Sequence, residues 1–350
     1  MVENNSNNTR VAIACQGGGS WTAFTAGALK KLFREKGEGR HSSYEVVALS
    51  GTSGGSICAL LAWYGLLRDD PYKGIQLLDA FWKDNSANSW WDRLINDSLL
   101  RTNRMFANTG GAPTISPYFY PSVGQDLLKS MIERHVDFQK IRRLLKPSSP
   151  LLLVGAVNVI DGQFKAFKSH NFVNDHKVVE NNPGDGISVE AILASAAIPV
   201  LFRAVDIGKD VYWDGLFSQN PPVRELPDAK PDEIWVIQVD PQQYKSEPKL
   251  MPNILSRRNQ LAGNLSLNQE IYFIEKVNEW VENERLTGTK HKAIKVRWIK
   301  MLRDDLDGDS KLNRDPEFIE EMMAYGEEQA GEFLKESFPT ALTQASKRTG

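Results

Sequence analysis

The chain is short of cysteine, with two in 350 residues. Cys15 and Cys58 each stand inside an apolar segment, without a second pair or a CxxC spacing. Neither a disulfide framework nor a zinc site is expected, and a reducing, cytoplasmic setting fits best. A long hydrophobic run is also lacking. The longest, Ile57 to Leu67, is broken by Gly65 and falls far short of the roughly 20 residues that cross a bilayer, so any membrane contact is expected to be peripheral. The polar, Asn-rich stretch Met1 to Arg10 holds no apolar segment of the kind a secretory signal needs, and residues 1–9 read as a disordered tail. No charge of one sign dominates: 42 basic residues face 44 acidic ones, which leaves no net field to favour nucleic acid. Partners must be argued from sites.

What the sequence does contain is an alternation of apolar strands and amphipathic helices. Arg10 to Gln16 reads as a buried strand, broken by Gly17-Gly18-Gly19 before a helix from Ser20 to about Arg34. Glu45 to Ser50 repeats the unit as a second strand, and the run from Ser53 to Leu67 is apolar enough for a buried helix. Leu151 to Ile160 and Gln163 to Lys168 predict a hairpin around Asp161-Gly162. A short helix is expected at Ser188 to Ala197, a strand pair near Ala204 to Trp213 and a strand at Glu233 to Val239. A long amphipathic helix at roughly Asn253 to Arg285, a strand at Ala293 to Ile299 and a helix from Pro316 to about Ser337 complete the chain. The pattern predicts an α/β fold with a mostly parallel sheet covered by helices on both faces. Residues 10–340 form one domain in this reading, with a helical cap-like insertion at about 71–146 and a C-terminal helical segment at about 250–340.

A serine hydroxyl becomes a useful nucleophile when it is exposed on a sharp turn beside a base. Gly51-Thr52-Ser53-Gly54-Gly55, between a strand and a helix, has the spacing of such an elbow, with the helix N-terminus turned toward developing negative charge. The run Gly17-Gly18-Gly19 offers backbone N–H groups for an oxyanion. It lacks both the Lys-Ser/Thr pair of a P-loop and the spacing of a dinucleotide site. For the base, His291 is the histidine a conventional Ser/His/Asp order would use, but it sits in the charged run Thr289 to Lys292. His41, His135, His170 and His176 stand in similarly polar surroundings, as exposed histidines do. Among the Asp-Gly pairs Asp214 differs: it ends the aromatic strand Val211-Tyr212-Trp213 and precedes Asn220-Pro221-Pro222, so bulky neighbours would desolvate its carboxylate and make it more basic. The acidic stretch Asp304 to Asp309 has its glycine misplaced for a calcium loop and reads as a solvated turn; no metal or cofactor is expected. Trp90-Trp91 and Tyr118-Phe119-Tyr120 read first as packing the insertion onto the core, with an acyl-pocket lining or a lipid-interface contact as the alternative.

Together, Gln16-Gly17-Gly18-Gly19-Ser20, Gly51-Thr52-Ser53-Gly54-Gly55, Ala194-Ser195-Ala196-Ala197-Ile198-Pro199 and Asp214-Gly215 with Asn220-Pro221-Pro222 resemble the patatin-like phospholipase family across about residues 10 to 240. The stretch from Arg257-Arg258-Asn259 to Leu267-Asn268-Gln269 resembles a bacterial branch of it. The resemblance implies a patatin-like three-layer fold and a Ser–Asp dyad without histidine. Ser53 would be the nucleophile, Asp214 the base with its turn at Gly215, and the backbone at Gly17, Gly18 and Gly19 the oxyanion hole. It departs from the family pattern in having Ser20-Trp21-Thr22 where a basic residue often follows the glycines, and Leu216 where a second small residue follows Gly215. The substrate it implies is a fatty acyl ester of a phospholipid or lysophospholipid. Alternatives are an α/β hydrolase using His291, a polyester or thioester hydrolase, and an inactive lipid-binding protein of the same fold.

Overall fold

The computed structural model describes residues 8–38, 44–87, 116–119, 121–173, 177–179, 184–199, 201–286, 292–303, 305–306 and 308–338. In chain order the strands are β1 (Thr9–Cys15), β2 (Tyr44–Thr52), β3 (Leu151–Asn158), β4 (Phe164–Lys168), β5 (Asn171–Val173), β6 (Lys177–Val179), β7 (Val205–Ile207), β8 (Asp210–Asp214), β9 (Glu233–Gln238) and β10 (Lys295–Lys300). The helices are α1 (Thr22–Gly37), α2 (Gly54–Leu66), α3 (Pro71–Asn85), α4 (Val123–His135), α5 (Phe138–Leu144), α6 (Val189–Ser195), α7 (Met251–Glu282) and α8 (Pro316–Ser337). Short 3-10 turns at Gly19–Trp21, Gly215–Phe217 and Gly308–Leu312 lie between them.

β1 and β2 are near-continuous apolar runs, the pattern of strands covered on both faces. They pair in parallel at the centre of a sheet ordered β10-β9-β1-β2-β3-β8-β7. The sheet is parallel from β10 to β3, and β8, joined to β3, and β7, joined to β8, add antiparallel pairs. β4 folds back as the expected hairpin partner of β3. Thr9 is the first residue of β1, so ordered structure begins inside the tail expected over residues 1–9; residues 1–7 lie outside the described ones.

Side chains alternate across the sheet with period 2. Val11, Ile13 and Cys15 face a core built with Phe24, Leu32, Trp63, Trp235 and Phe333, while Ala12, Ala14, Leu151 and Leu153 face a second core closed by Leu267, Ile271 and Ile274 of α7. Three layers result. Small residues dominate the α7 side of β1 and let that long helix approach. On the other side α1 and α8 cross almost backbone to backbone: a Cβ at Gly326 would lie 2.0 Å from the Phe24 carbonyl oxygen, and one at Gly27 would lie 1.9 Å from that of Met323.

α3 is started by Asp70, whose carboxylate accepts the Lys73 N–H at 3.1 Å, with Pro71 preset for the first turn. It buries Ile75, Leu78, Phe81 and Trp82 in the same core as α1 and α2. The first part of the segment expected as a cap is therefore built into the helical layer. Trp90, Trp91 and Tyr120 lie outside the described residues. Tyr118 and Phe119 are exposed, which corrects the expectation that they pack inward; Tyr118 is instead held at the rim by its hydroxyl, which accepts the Ala204 N–H at 3.2 Å. Among the described residues no helix is long and apolar enough to cross a membrane.

Candidate active site

β2 ends at Thr52 and α2 begins at Gly54, so the whole reversal falls on Ser53, at φ 55° and ψ −133°. A non-glycine residue rarely holds a positive φ unless its surroundings over-determine it. Here they do. The Ser53 N–H donates to Ser195 Oγ at 3.0 Å and to the Ser195 carbonyl at 3.1 Å. Ser195 Oγ in turn donates to the Gly155 carbonyl of β3 at 2.6 Å, and Thr52 Oγ1 donates to the Gln219 carbonyl at 2.6 Å. The elbow is thus tied to β3, to the end of α6 and to the loop beyond β8. Gly51 packs against the Gly55 backbone, and Gly54 against the Thr22 side chain, leaving no room for β-carbons at the turn.

The sheet register brings Asp214 to this point. On β3, Thr52 of β2 stands opposite Gly155, and Asp214 of β8 stands opposite the next residue, Ala156. β4 pairs with both Gly155 and Ala156, so it occupies the other edge of β3. β2 and β8 therefore run end to end along one edge, and Ser53 and Asp214 meet where they abut. The Asp214 N–H donates to the Ala197 carbonyl at 3.0 Å, and Oδ1 accepts the Leu216 N–H at 2.8 Å. Gly215 lies against β3 with its own α-carbon, where a β-carbon would come 3.0 Å from the Gly155 carbonyl.

Asp214 is fully buried, and burial pushes its pKa up to about 7 against the opposing pull of the Ser53 hydroxyl, the Leu216 N–H and the positive charge of Lys311. Its Oδ2 has no fully formed hydrogen bond among the described residues, although the Ser53 side chain already favours its charged form. Burial of the whole side chain is the cause of the upward shift.

The glycine loop lies directly against the Ser53 side chain, since a Cβ at Gly17 would fall 2.8 Å from the Ser53 Cβ. The Gly17 N–H, however, donates to Asn220 Oδ1 at 2.7 Å, which removes it from the set of expected oxyanion donors. The N–H groups of Gly18 and Gly19 have no recorded partner among the described residues. Gln16 fixes the loop from behind: Oε1 accepts from Val239 and Asp240 at 3.0 and 2.8 Å, and Nε2 donates to Asn264 Oδ1 at 2.9 Å. α7 secures the loop after Asp214 through Glu270, which accepts from Gln219 Nε2 and from the Val223 and Arg224 N–H groups. This arrangement can deprotonate a hydroxyl and offer two unpaired N–H groups to developing negative charge beside a helix N-terminus.

His41, His176 and His291 lie outside the described residues. His135 binds Asp84 Oδ2 at 3.0 Å. His170 is buried rather than exposed as expected, beside Ser169 Oγ at 2.8 Å, and burial lowers its pKa to about 4. Neither contacts Ser53 or Asp214 among the described hydrogen bonds. Among the described residues no group of three or more His, Cys, Asp or Glu side chains is arranged to hold a metal ion. Ser195 and Asn220 stood inside recognised sequence blocks without a role. Glu270 and Asn264 carry no local signal, because their partners lie dozens to hundreds of residues away.

Solved structures similar to this chain include VipD from Legionella pneumophila, at 12% identity and a TM-score of 0.44, covering 94% of this chain and 67% of that one. Human GIVD cytosolic phospholipase A2 in complex with methyl gamma-linolenyl fluorophosphonate matches at 14% identity and a TM-score of 0.44, covering 95% and 59%. The ExoU–SpcU complex of the type III secretion system of Pseudomonas aeruginosa matches at 17% identity and a TM-score of 0.36, covering 95% and 52%. The chain thus spans about half to two thirds of the length of these proteins. No curated protein matches it. The family model described as patatin-like phospholipase matches residues 13–227, more than half of the chain and the part that holds Ser53, Asp214 and the glycine loop. The chain belongs to the patatin-like phospholipase family.

Proposed function

We propose that this chain is a serine acyl hydrolase that cleaves fatty acyl esters of phospholipids or lysophospholipids through Ser53 and Asp214. The observation that carries the proposal is the meeting, on one edge of β3, of a serine held at positive φ and a buried carboxylate with a pKa of about 7. At an ordinary carboxylate pKa of about 3.9 the aspartate would be a weak base at neutral pH; raised toward 7 it matches the proton transfer asked of it. Asp214 takes the Ser53 proton as Oγ attacks the ester carbonyl, and the N–H groups of Gly18 and Gly19 hold the oxyanion. The protonated Asp214 then gives its proton to the departing alcohol, leaving an acyl-enzyme. Water, deprotonated by Asp214, clears the acyl group and restores Ser53.

Family membership supports a lipid hydrolase.

 Phe217, on the turn after Asp214, and Leu261 and Leu265, on the α7 helix that packs against that turn, are all exposed, which supports an acyl chain or a peripheral lipid surface as partner of this face.

The test is labelling of the purified chain with a fluorophosphonate probe, alongside hydrolysis of p-nitrophenyl esters of graded chain length. Labelling confined to Ser53, lost in Ser53→Ala and strongly slowed in Asp214→Asn, is the expected result. A folded protein that neither labels at Ser53 nor hydrolyses any ester would remove the proposal.

A further inference from the structure

The glycine loop is covered by a piece of chain that enters from the far end of the sequence, beyond the segment matched by the family. The 3-10 turn Gly308–Leu312 packs on the turn Gly19–Trp21. Gly19, at φ 59°, comes so near that a Cβ on it would lie 2.4 Å from the Lys311 carbonyl oxygen. Trp21 Nε1 donates to Ser310 Oγ at 2.8 Å, and the Lys311 ammonium stands 4.7 Å from the centre of the Trp21 ring. Its Nζ is 2.5 Å from Asp240 Oδ1, on a side chain wholly withdrawn from solvent. The Asp240 N–H is held by Gln16, the residue just before the glycine run.

An ion pair with one partner fully buried is a poor stability device, because the cost of desolvating the charge offsets most of the attraction. This pair is also incompletely satisfied, since Asp240 Oδ2 has no partner among the described residues. Its position explains it better than its energy does. The residues after the glycines, Ser20, Trp21 and Thr22, bring no charge of their own to the N–H groups of Gly18 and Gly19, the oxyanion donors of the proposed function.

We infer that Lys311 is the cation of this active site, a positioning residue that clamps the glycine loop through its backbone and adds positive charge beside the oxyanion donors through its ammonium. The inference rests on the function proposed for Ser53 and Asp214. Asp240 orients the ammonium from below and the Trp21 ring limits it from the side. Asp214 faces the Ser53 hydroxyl and the Leu216 N–H, and Lys311 is the charged group that acts on it from another element, favouring its ionised form.

The experiment compares the full chain with Lys311→Arg, Lys311→Met and the double variant Lys311→Met/Asp240→Asn, following p-nitrophenyl butyrate hydrolysis across pH, with thermal unfolding of each. Both Lys311→Met proteins are expected to lose about tenfold in kcat with little change in KM. The acidic limb of their kcat/KM profile should move to higher pH, because a positive charge that favoured ionised Asp214 is gone. Lys311→Arg should recover most of the rate. A merely structural pair makes the opposite forecast: a folded double variant, free of the unpaired buried charge, would regain wild-type kcat with the acidic limb in place, and that result overturns the inference. The double variant decides the matter even where Lys311→Met alone unfolds. Should the unsubstituted chain neither hydrolyse the ester nor label at Ser53, the proposed function falls first and this inference with it.

Discussion

Asp214 is where the conflict between folding and chemistry is sharpest. Its folded pKa of about 7 lies above the ordinary value of 3.8, so the native state holds the proton more tightly than the unfolded chain does. The group therefore favours the fold at low pH, and that contribution is lost as pH rises from about 4 through about 7. Asp214→Asn keeps an acceptor for the Leu216 N–H but cannot ionise. Chemical denaturation at pH 5 and pH 8 should show the unsubstituted chain losing ~3 kcal/mol relative to the variant over that interval. Hydrolysis by the unsubstituted chain should rise with pH to a plateau, with its midpoint near the pKa of about 7. At Ser195, alanine would remove the hydroxyl that accepts the Ser53 N–H and donates to Gly155. It is expected to cost ~1–2 kcal/mol of stability and at least about tenfold in kcat, measured by unfolding and ester turnover.

At the scale of elements, the strand–turn–helix units around the glycine run and Ser53 were legible because their signals are local: an apolar strand, glycines at fixed spacing, then a helical period. The buried place of Asp214 was legible for a related reason, an aspartate closing an aromatic strand. The Gly17 N–H was not, because its commitment to Asn220 depends on contact between segments far apart in the chain. His170 misled for the same reason: a polar local sequence says nothing about the layers that later cover it. The α1–α8 crossing also escaped notice, since one glycine in each helix means little until the two are opposed. Its prediction is correspondingly sharp. Gly326→Leu must push α8 off the Phe24 carbonyl, and a loss of more than about 3 kcal/mol is expected in thermal or denaturant unfolding, with Lys311 displaced as well.

Over the whole molecule, the sheet order β10-β9-β1-β2-β3-β8-β7 joins the C-terminal part to the rest, with β10 paired on β9, α7 closing one core and α8 the other. A chain ended at residue 240 would expose both layers, and should lose near-UV circular dichroism and bind a hydrophobic dye, the signature of a collapsed but unpacked state. The abutment of β2 and β8 on one edge of β3 has a different consequence, for tolerance of change. The spacing between Ser53 and Asp214 is set by a single step along a strand, so the intervening loops can lengthen or diverge without retuning it. A Gly-Ser insertion after Gly208, where no neighbour crowds the turn, should leave ester turnover intact. One residue added between Val211 and Tyr212 would turn Asp214 to the opposite face and abolish it. Under the proposed function, substrate preference is free to drift in the loops while the Ser53–Asp214 spacing stays ruled by one strand.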